Sequence, residues 1–427
     1  MRVWKSSTLP PDWFQRQAPD EQTNAQVESN VKAIITHVVK NGDAALIALT
    51  AQFDEASLDA KDLRVTSREI KDAYNEVDKE QIDALKFMKN KVSAFEKLTL
   101  KQAGFKTSQD GVTVQNVLRP IESVGCYVPG GQAAYPSTLV MTAVPAKAAG
   151  VPRIVVCSPP NAEGKVNPLV LVAADICGVD EVYKVGGAQA VAALAYGTET
   201  IKPVRKIVGP GSKYVTMAKV IVSTDVAIDM PAGPSEVLVL ADDSADARLI
   251  AYDMISQAEH GGDSVAGLVT TSEKTALQVQ ENLVKLAASA PRGEKVSEAL
   301  EKYGFIIVCS CMDEAVALVN RFAPEHLEVM AANAKALAEK LTAGLILIGP
   351  YSPVALSDYG SGTNHVLPTG TFAKSFSGLS VLDFMLRVNI VESSKAGLEK
   401  VKDSIKVMTE AENLPNHSKA IEARFSK

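Results

Sequence analysis

The chain has 427 residues, 46 % of them hydrophobic and 22 % charged, which is enough for two or three domains around a large core. The formal net charge is −6 and no basic cluster with interleaved aromatics occurs, which argues against a general nucleic-acid binder. No run approaches the roughly 18 uncharged apolar residues of a membrane span, and Met1-Arg2-Val3-Trp4-Lys5 leads into prolines rather than the apolar stretch of a secretory signal. The five cysteines (Cys126, Cys157, Cys177, Cys309 and Cys311) are scattered, mostly inside apolar runs, with no CxxC. They fit reduced, buried thiols in a cytoplasmic compartment.

Residues 1–25, with Pro10-Pro11, Trp4 and Trp13, read as an irregular arm that packs on another subunit. Val27, Val31, Ile34, Ile35 and Val38 recur at helical spacing. Asn41-Gly42 predicts the end of that helix and Asp43 the cap of the next. Thr66 to Glu69 is a capping box before Ile70, Tyr74 and Val77, and the helical pattern runs on through Phe95. Asp110-Gly111 separates Gly104–Thr107 from Val112–Val117 and predicts a hairpin.

From residue 121 to 233 short strands alternate with helices. The predicted strands are Ser123–Tyr127, Arg153–Cys157, Glu181–Val185, Lys206–Val208 and Val226–Asp229. Between them lie helical runs at Ser137–Ala148, Asn167–Ile176, Ala188–Tyr196 and Ser212–Val222. Such alternation predicts a parallel sheet with helices on both faces. Pro129-Gly130-Gly131, Gly186-Gly187 and Gly209-Pro210-Gly211 follow strands, where open α/β sheets bind ligands, but none is a GxGxxG or Walker A loop. The alternation resumes with strands at Glu236–Ala241, Ser264–Thr270, Phe305–Cys309 and Ala343–Ile348, and helices at Ala245–His260, Glu273–Ser289 and Asp313–Ala323. After about residue 380 the tail reads as helical, with Leu398, Val401, Ile405 and Met408 near helical spacing. A break at Leu414-Pro415-Asn416 precedes a last short helix. No internal repeat is visible, although two α/β units of similar design can hide a duplication.

Of the five histidines, His37 sits on a helical pattern and reads as structural; the other four lie beside groups that can do chemistry. Phe322-Ala323-Pro324-Glu325-His326-Leu327-Glu328 sets a carboxylate next to an imidazole, whose pKa of about 6.5 suits proton transfer near neutrality. Pro324 turns Ala323 away from helix, which predicts a helix end or turn; the alternative is a solvated surface pair. Gln257 and His260 share one face at the end of a helix stopped by Gly261-Gly262, where an amide oxygen and an imidazole can ligate a metal or the histidine can answer the helix dipole. Glu259 falls elsewhere on the wheel. Ser357–His365 is a polar glycine-rich loop that offers Asp358 as a ligand and His365 as a substrate contact, or is a long solvated turn. His417, five residues after Glu412, lies in the tail. There is no HExxH, so spacing alone does not define a zinc site. Cys126 beside a glycine loop allows a thiohemiacetal route to aldehyde oxidation, or is a small core thiol.

Taken together, GCYVPGG from Gly125, VGGAQA from Val185, GPG at Gly209, IDMPAGPSEVLV from Ile228, SQAEHG from Ser256, FAPEHLE from Phe322, SGTNHVLPT from Ser361 and GLSVLDF from Gly378 resemble the histidinol dehydrogenase family, in the family's order and over nearly the whole chain. The resemblance implies an α/β homodimer. Each subunit would have two incomplete Rossmann-like domains with parallel-type sheets and small helical N- and C-terminal segments that cross to the partner. In this chain that implies an arm at 1–25, a discontinuous first domain at 26–120 and 234–379, a second at 121–233, and a C-terminal segment at 380–427. It implies oxidation of L-histidinol to L-histidine through L-histidinaldehyde, with two NAD+ and one Zn2+ per subunit. By motif, Gln257, His260, Asp358 and His417 match metal ligands; Ser235, His326, His365 and Glu412 match further substrate contacts; Tyr127, Gln189 and Ser212 match cofactor contacts. His417 and Glu412 would come from the neighbouring subunit. Family members often carry asparagine where Ser212 stands, which is shorter but still polar.

The chemistry this implies is proton transfer by His326 in both oxidations, with Glu325 activating the water that hydrates the aldehyde and zinc orienting the substrate. Cys126 then packs and does not react. Two other readings stay open on residues alone. One is an NAD-linked oxidoreductase of another amino alcohol. The other is a non-catalytic metal- or ligand-binding α/β protein, against which the Glu325–His326 pair argues.

Overall fold

The structure, a computed structural model, describes residues 1–10, 13–14, 21–130, 134–230 and 233–426. Pro11, Gly131 and the Pro231-Ala232 step of the motif from Ile228 lie outside the described residues. The described strands are β1 (Val3–Lys5), β2 (Phe105–Gln109), β3 (Val112–Pro120), β4 (Ser123–Tyr127), β5 (Arg153–Ser158), β6 (Glu181–Lys184), β7 (Lys206–Val208), β8 (Ala227–Ile228), β9 (Glu236–Ala241), β10 (Val265–Thr270), β11 (Phe305–Val308), β12 (His326–Met330), β13 (Leu345–Ile348) and β14 (Met385–Ser393).

β4 to β8 form a five-stranded parallel sheet in the order β6-β5-β4-β7-β8. A six-stranded parallel sheet runs β1-β11-β10-β9-β12-β13. Without the edge strand β1, the second sheet repeats the order of the first: two strands laid outward on one side of the founding strand, then two on the other. This is the doubly wound arrangement, and its crevice opens where the winding reverses, between β4 and β7 in one sheet and between β9 and β12 in the other. The duplication that sequence inspection does not reveal is thus present in the topology. Besides β1 in the arm, the alternation missed two strands. Met385–Ser393 is β14, not helix, and pairs antiparallel with β3, which with β2 forms the predicted hairpin. His326–Met330 is β12, buried at every position.

Residues 26–120 pack mainly with residues 121–233, and meet residues 234–379 only at a few positions such as Val366 and Leu379, rather than forming one unit with them as the domain expectation has it. Val31, Val38 and Leu46 of the kinked helix Glu21–Phe53 are fully buried against helix Gly187–Tyr196, a gain of about 1.5–3 kcal/mol per side chain over exposure. Helix Lys79–Gln102 sets Leu85, Met88 and Val92 against helix Pro136–Ala149 in the same unit. The apolar stripes of these helices match the faces of the five-stranded sheet's helices, so that sheet gains its outer layer from upstream sequence.

The arm also differs from expectation. Its described part adds β1 to the edge of its own sheet, and Phe14 stacks on Phe305 and Phe322 with centroids 5.4 and 5.0 Å apart. Gly42 (φ 51°) kinks the first helix rather than ending it, and Asp43 accepts from Thr200 rather than capping a helix. The Thr66–Glu69 capping box is present. No described helix is long and apolar enough to cross a membrane.

Candidate active site

Helix Met312–Phe322 ends on Ala323 in the left-handed region (φ 50°), and the chain then passes through Pro324 and Glu325 directly into β12. His326 is therefore the first residue of a central strand, opposite Val237 of β9. The pair is not a surface one: Glu325 is 6 % exposed and His326 is 4 % exposed. Their closest approach, Nδ1 to Oε2, is 3.7 Å. His326 Nδ1 also lies 3.3 Å from the Glu236 carbonyl, a geometry that favours the Nδ1–H tautomer and leaves Nε2 as the acceptor. Nε2 has no hydrogen-bond partner among the described residues.

Asp358, at the end of helix Val354–Tyr359, brings Oδ1 within 3.8 Å of His326 Nε2 and 3.7 Å of His365 Nδ1. The loop carrying His365 is not a solvated turn. Asn364 donates to the Met141 carbonyl at 2.7 Å and accepts from Val366 N–H at 2.9 Å, tying the loop to the other sheet's helices. Burial pulls the His326 imidazole down, but Glu325 and Asp358 outweigh it and the net direction is up. His365 is pushed down to about 4 by burial and by His326, so it stays neutral. Burial raises Asp358 against the opposing pull of His326 and His260.

The cluster sits at the amino ends of β9 and β12, not beyond the carboxyl ends where the alternation pattern directs attention. His260, just past the end of helix Ala247–Ala258, lies near enough to act electrostatically on Asp358 and His365, and Gln257 stands one turn back on the same helix. Gln257 is buried and its Nε2 is orphaned among the described residues. His260 Nδ1 lies 3.2 Å from the Ser256 carbonyl and 3.3 Å from that of Gln257, which orients the ring with Nε2 free to ligate. Ser235 precedes β9, half-buried, its carbonyl bonded to Val265 N–H at 2.9 Å.

Glu412 and His417 are exposed on the C-terminal helices, and no hydrogen bond or ion pair joins either to this cluster among the described residues. No group of three or more His, Cys, Asp and Glu placed to hold a metal occurs among the described residues.

Sequence reasoning missed the carboxylates behind the cluster. Glu236 accepts from Glu325 N–H at 3.2 Å, Glu325 accepts from Glu236 N–H at 2.8 Å, and Gly370 N–H bonds the second Glu236 oxygen at 2.8 Å. Burial and the charge of Glu325 push Glu236 up to about 7. Buried Glu328, raised by burial and by its hydrogen-bonded neighbour Asp253, accepts from Val354 N–H at 2.9 Å. That pair ties the helix of Gln257 and His260 to the helix of Asp358. The available signal was a glutamate at the head of an otherwise apolar strand, Glu236–Ala241, and a second inside His326–Met330.

The predicted cofactor residues gather elsewhere, at the crevice between β4 and β7. Gln189 and Ser212 line one cavity of ≈ 760 Å³ with Phe53, Asp54, Gly187 and Tyr214. Tyr127 lies behind it, buried, its hydroxyl accepting from Gly187 N–H at 3.1 Å. Gly187 has φ +63°, and a Cβ there would stand 2.6 Å from Gln189 Oε1. Gly209 has φ +116°, and a Cβ would collide with the Tyr127 carbonyl. A buried Lys219–Asp229 ion pair fixes this turn: Lys219 donates to the Gly209 carbonyl at 2.9 Å and Asp229 accepts from Gly209 N–H at 2.8 Å. Cys126, fully buried in β4, is pushed up to about 12 by burial, and so is a packing thiol rather than a thiolate.

A doubly wound crevice in one unit and a buried imidazole–carboxylate cluster in the other define an α/β oxidoreductase. The profile of the histidinol dehydrogenase family matches residues 17–425. The histidinol dehydrogenase of Archaeoglobus fulgidus is 45 % identical over 399 residues, 93 % of this chain and 95 % of its own length. That of Methanosarcina mazei is 43 % identical over 403 residues, 94 % of this chain and 92 % of its own. The crystal structure of the Elizabethkingia anophelis histidinol dehydrogenase superposes with a TM-score of 0.93 at 37 % identity, covering 100 % of this chain and 98 % of that one. The chain belongs to the histidinol dehydrogenase family.

Proposed function

We propose that this chain oxidises L-histidinol to L-histidine through L-histidinaldehyde, in two two-electron steps with two NAD+ and a zinc ion, as the final step of histidine biosynthesis in the cytoplasm. The observation that carries the reading is the buried Glu325–His326 pair, with an unpartnered His326 Nε2 beside Asp358 and His365. Binding alone does not call for an imidazole held between carboxylates.

The donor set fits zinc in type: an amide oxygen from Gln257, an imidazole nitrogen from His260 and a carboxylate from Asp358. The carbonyl-oriented His260 ring supports this use. The set lacks a fourth ligand within one chain, so the partner subunit's His417 would complete it and the partner subunit's Glu412 would reach the substrate. Exposed Leu386, Ile390, Val391, Val407 and Met408 give the C-terminal segment the apolar surface such a homodimer would cover. Zinc in this position would orient the amino alcohol and withdraw charge from it.

NAD+ fits the cavity of Gln189 and Ser212, backed by Tyr127, where the helix starting at Lys213 presents its N-terminus to a pyrophosphate. A bound nicotinamide supplies the hydride acceptor. His326 takes the hydroxyl proton through Nε2 as hydride leaves the carbinol carbon. One Glu325 oxygen is held by Glu236 N–H, and its Oε1 has no protein partner among the described residues, so it can take a proton from the water that adds to the aldehyde. Once that first proton has passed to solvent, His326 takes a second from the hydrated aldehyde as the second hydride leaves. His365, neutral, and Ser235 can donate hydrogen bonds to substrate without adding charge.

Glu325→Gln is expected to slow aldehyde oxidation about 100-fold or more and alcohol oxidation much less, read in separately assayed half-reactions. Equal losses in both would remove the water-activating role.

A further inference from the structure

The cavity beside Gln189 and Ser212 holds a carboxylate that the oxidation does not use. Asp54 follows the last turn of helix Glu21–Phe53, its N–H bonded to the Thr50 carbonyl at 2.9 Å. Its Oδ2 is closed to solvent yet has no hydrogen-bond partner among the described residues. Burial pushes the carboxyl up to about 6, which leaves it mainly ionised above neutrality. No lysine or arginine is among the described residues that line the cavity. Asn30, His37 and Gln52 also line the cavity, but none bonds Asp54 Oδ2, and a ligand with hydroxyl groups provides the donor it lacks.

The remaining lining narrows the ligand. Gln189 contributes a second orphaned atom, Oε1. Phe53 and Tyr214 offer aromatic faces. None of Glu325, His326, Asp358 or His365 lines the cavity, so hydride is not transferred there. The part of a dinucleotide that matches is the adenosine half, with a flat base for the aromatic side chains and a vicinal diol for the carboxylate. Two ribose O–H groups can donate to one carboxylate. A 2′-phosphate in the same place would meet a like charge with no lining lysine or arginine to answer it.

We propose that Asp54 binds the adenosine ribose hydroxyls and makes the cavity select NAD+ over NADP+, an inference that rests on reading this cavity as the cofactor site. The carboxylate already lies against the cavity, and rotation of its side chain would turn the enclosed oxygen toward a ligand without moving the helix.

Isothermal titration of the full-length protein without histidinol, using NAD+, 2′-deoxy-NAD+ and NADP+, tests it. The wild type is expected to bind NAD+ about tenfold or more tightly than 2′-deoxy-NAD+, and NADP+ more weakly still. Asp54→Asn should shrink the gap between NAD+ and 2′-deoxy-NAD+ and move the NADP+ to NAD+ ratio toward one. Gln189→Ala should weaken all three ligands alike. If Gln189→Ala weakens all three but the wild type binds 2′-deoxy-NAD+ as tightly as NAD+, the role of Asp54 is overturned while the cavity reading stands. If neither substitution changes any affinity, the cavity reading is overturned and the Asp54 role with it. The deoxy comparison uses unmodified protein, so a poorly folded variant cannot obscure it.

Discussion

Glu236 and Glu325 hold each other's backbone N–H groups at the heads of adjacent strands, so each carboxylate fixes the peptide that carries the other. The arrangement places two carboxylates in one buried site, and burial together with the charge of Glu325 drives Glu236 up to about 7. The folded state then binds a proton more tightly than the unfolded chain, whose glutamate titrates near 4.5. Stability from this group is fully present below about pH 4.5 and is lost as the pH rises toward 7. Glu236→Gln puts an amide where two N–H donors converge, so it should lower stability at every pH. It should also flatten the fall in stability across that window. Urea unfolding of both proteins between pH 4 and 8 reads this, and an unchanged slope would show that Glu236 is already ionised at neutral pH. The surroundings of the pair, unlike the pair itself, were not legible in sequence. Its burial depends on β9, which is 90 residues away along the chain.

At the scale of elements, the alternation of apolar runs identified most strands of both parallel sheets to within a residue or two. Ser123–Tyr127, Lys206–Val208 and Glu236–Ala241 have their predicted limits. These are buried on both faces, so their sequences are short, nearly continuous apolar runs between turns. Two kinds of strand escaped. β12 opens with His326, directly after Glu325, and contains Glu328, and charged residues at and inside a central strand break the apolar signature because they are paired there with groups from β9 and from the helices of Asp253 and Val354. β14 is mostly exposed, so only its pairing with β3 holds it as a strand. The Pro324 signal was physical and local, and it held: Ala323 takes left-handed backbone, and the helix stops there. The site residues could be named because each sits in a distinctive motif. The convergence of Glu325, His326, Asp358 and His365 at the amino ends of β9 and β12 required the fold.

For the whole molecule, the repeated strand order assigns one task to each unit. The first has a glycine-lined crevice between β4 and β7, the proposed dinucleotide site, with helices from upstream sequence closing its side. The second has its buried histidine–carboxylate cluster at the amino edge, and the proposed metal set there is short of a ligand. On this account the missing group, the partner subunit's His417, makes dimerisation part of the active site. Inactive His260→Ala chains mixed with inactive His417→Ala chains should therefore recover about a quarter of wild-type activity, since random mixing makes half the dimers hybrid and each hybrid has one intact site. Hybrid dimers shown to form yet wholly inactive would place all ligands within one chain.

The most direct test of the central claim is the number of NADH formed per limiting L-histidinol, measured before chelation, after it, and after zinc is restored. The account predicts two NADH per substrate, lost on chelation and regained with zinc. One NADH with release of the aldehyde would contradict it, because a single active site would then not carry both oxidations.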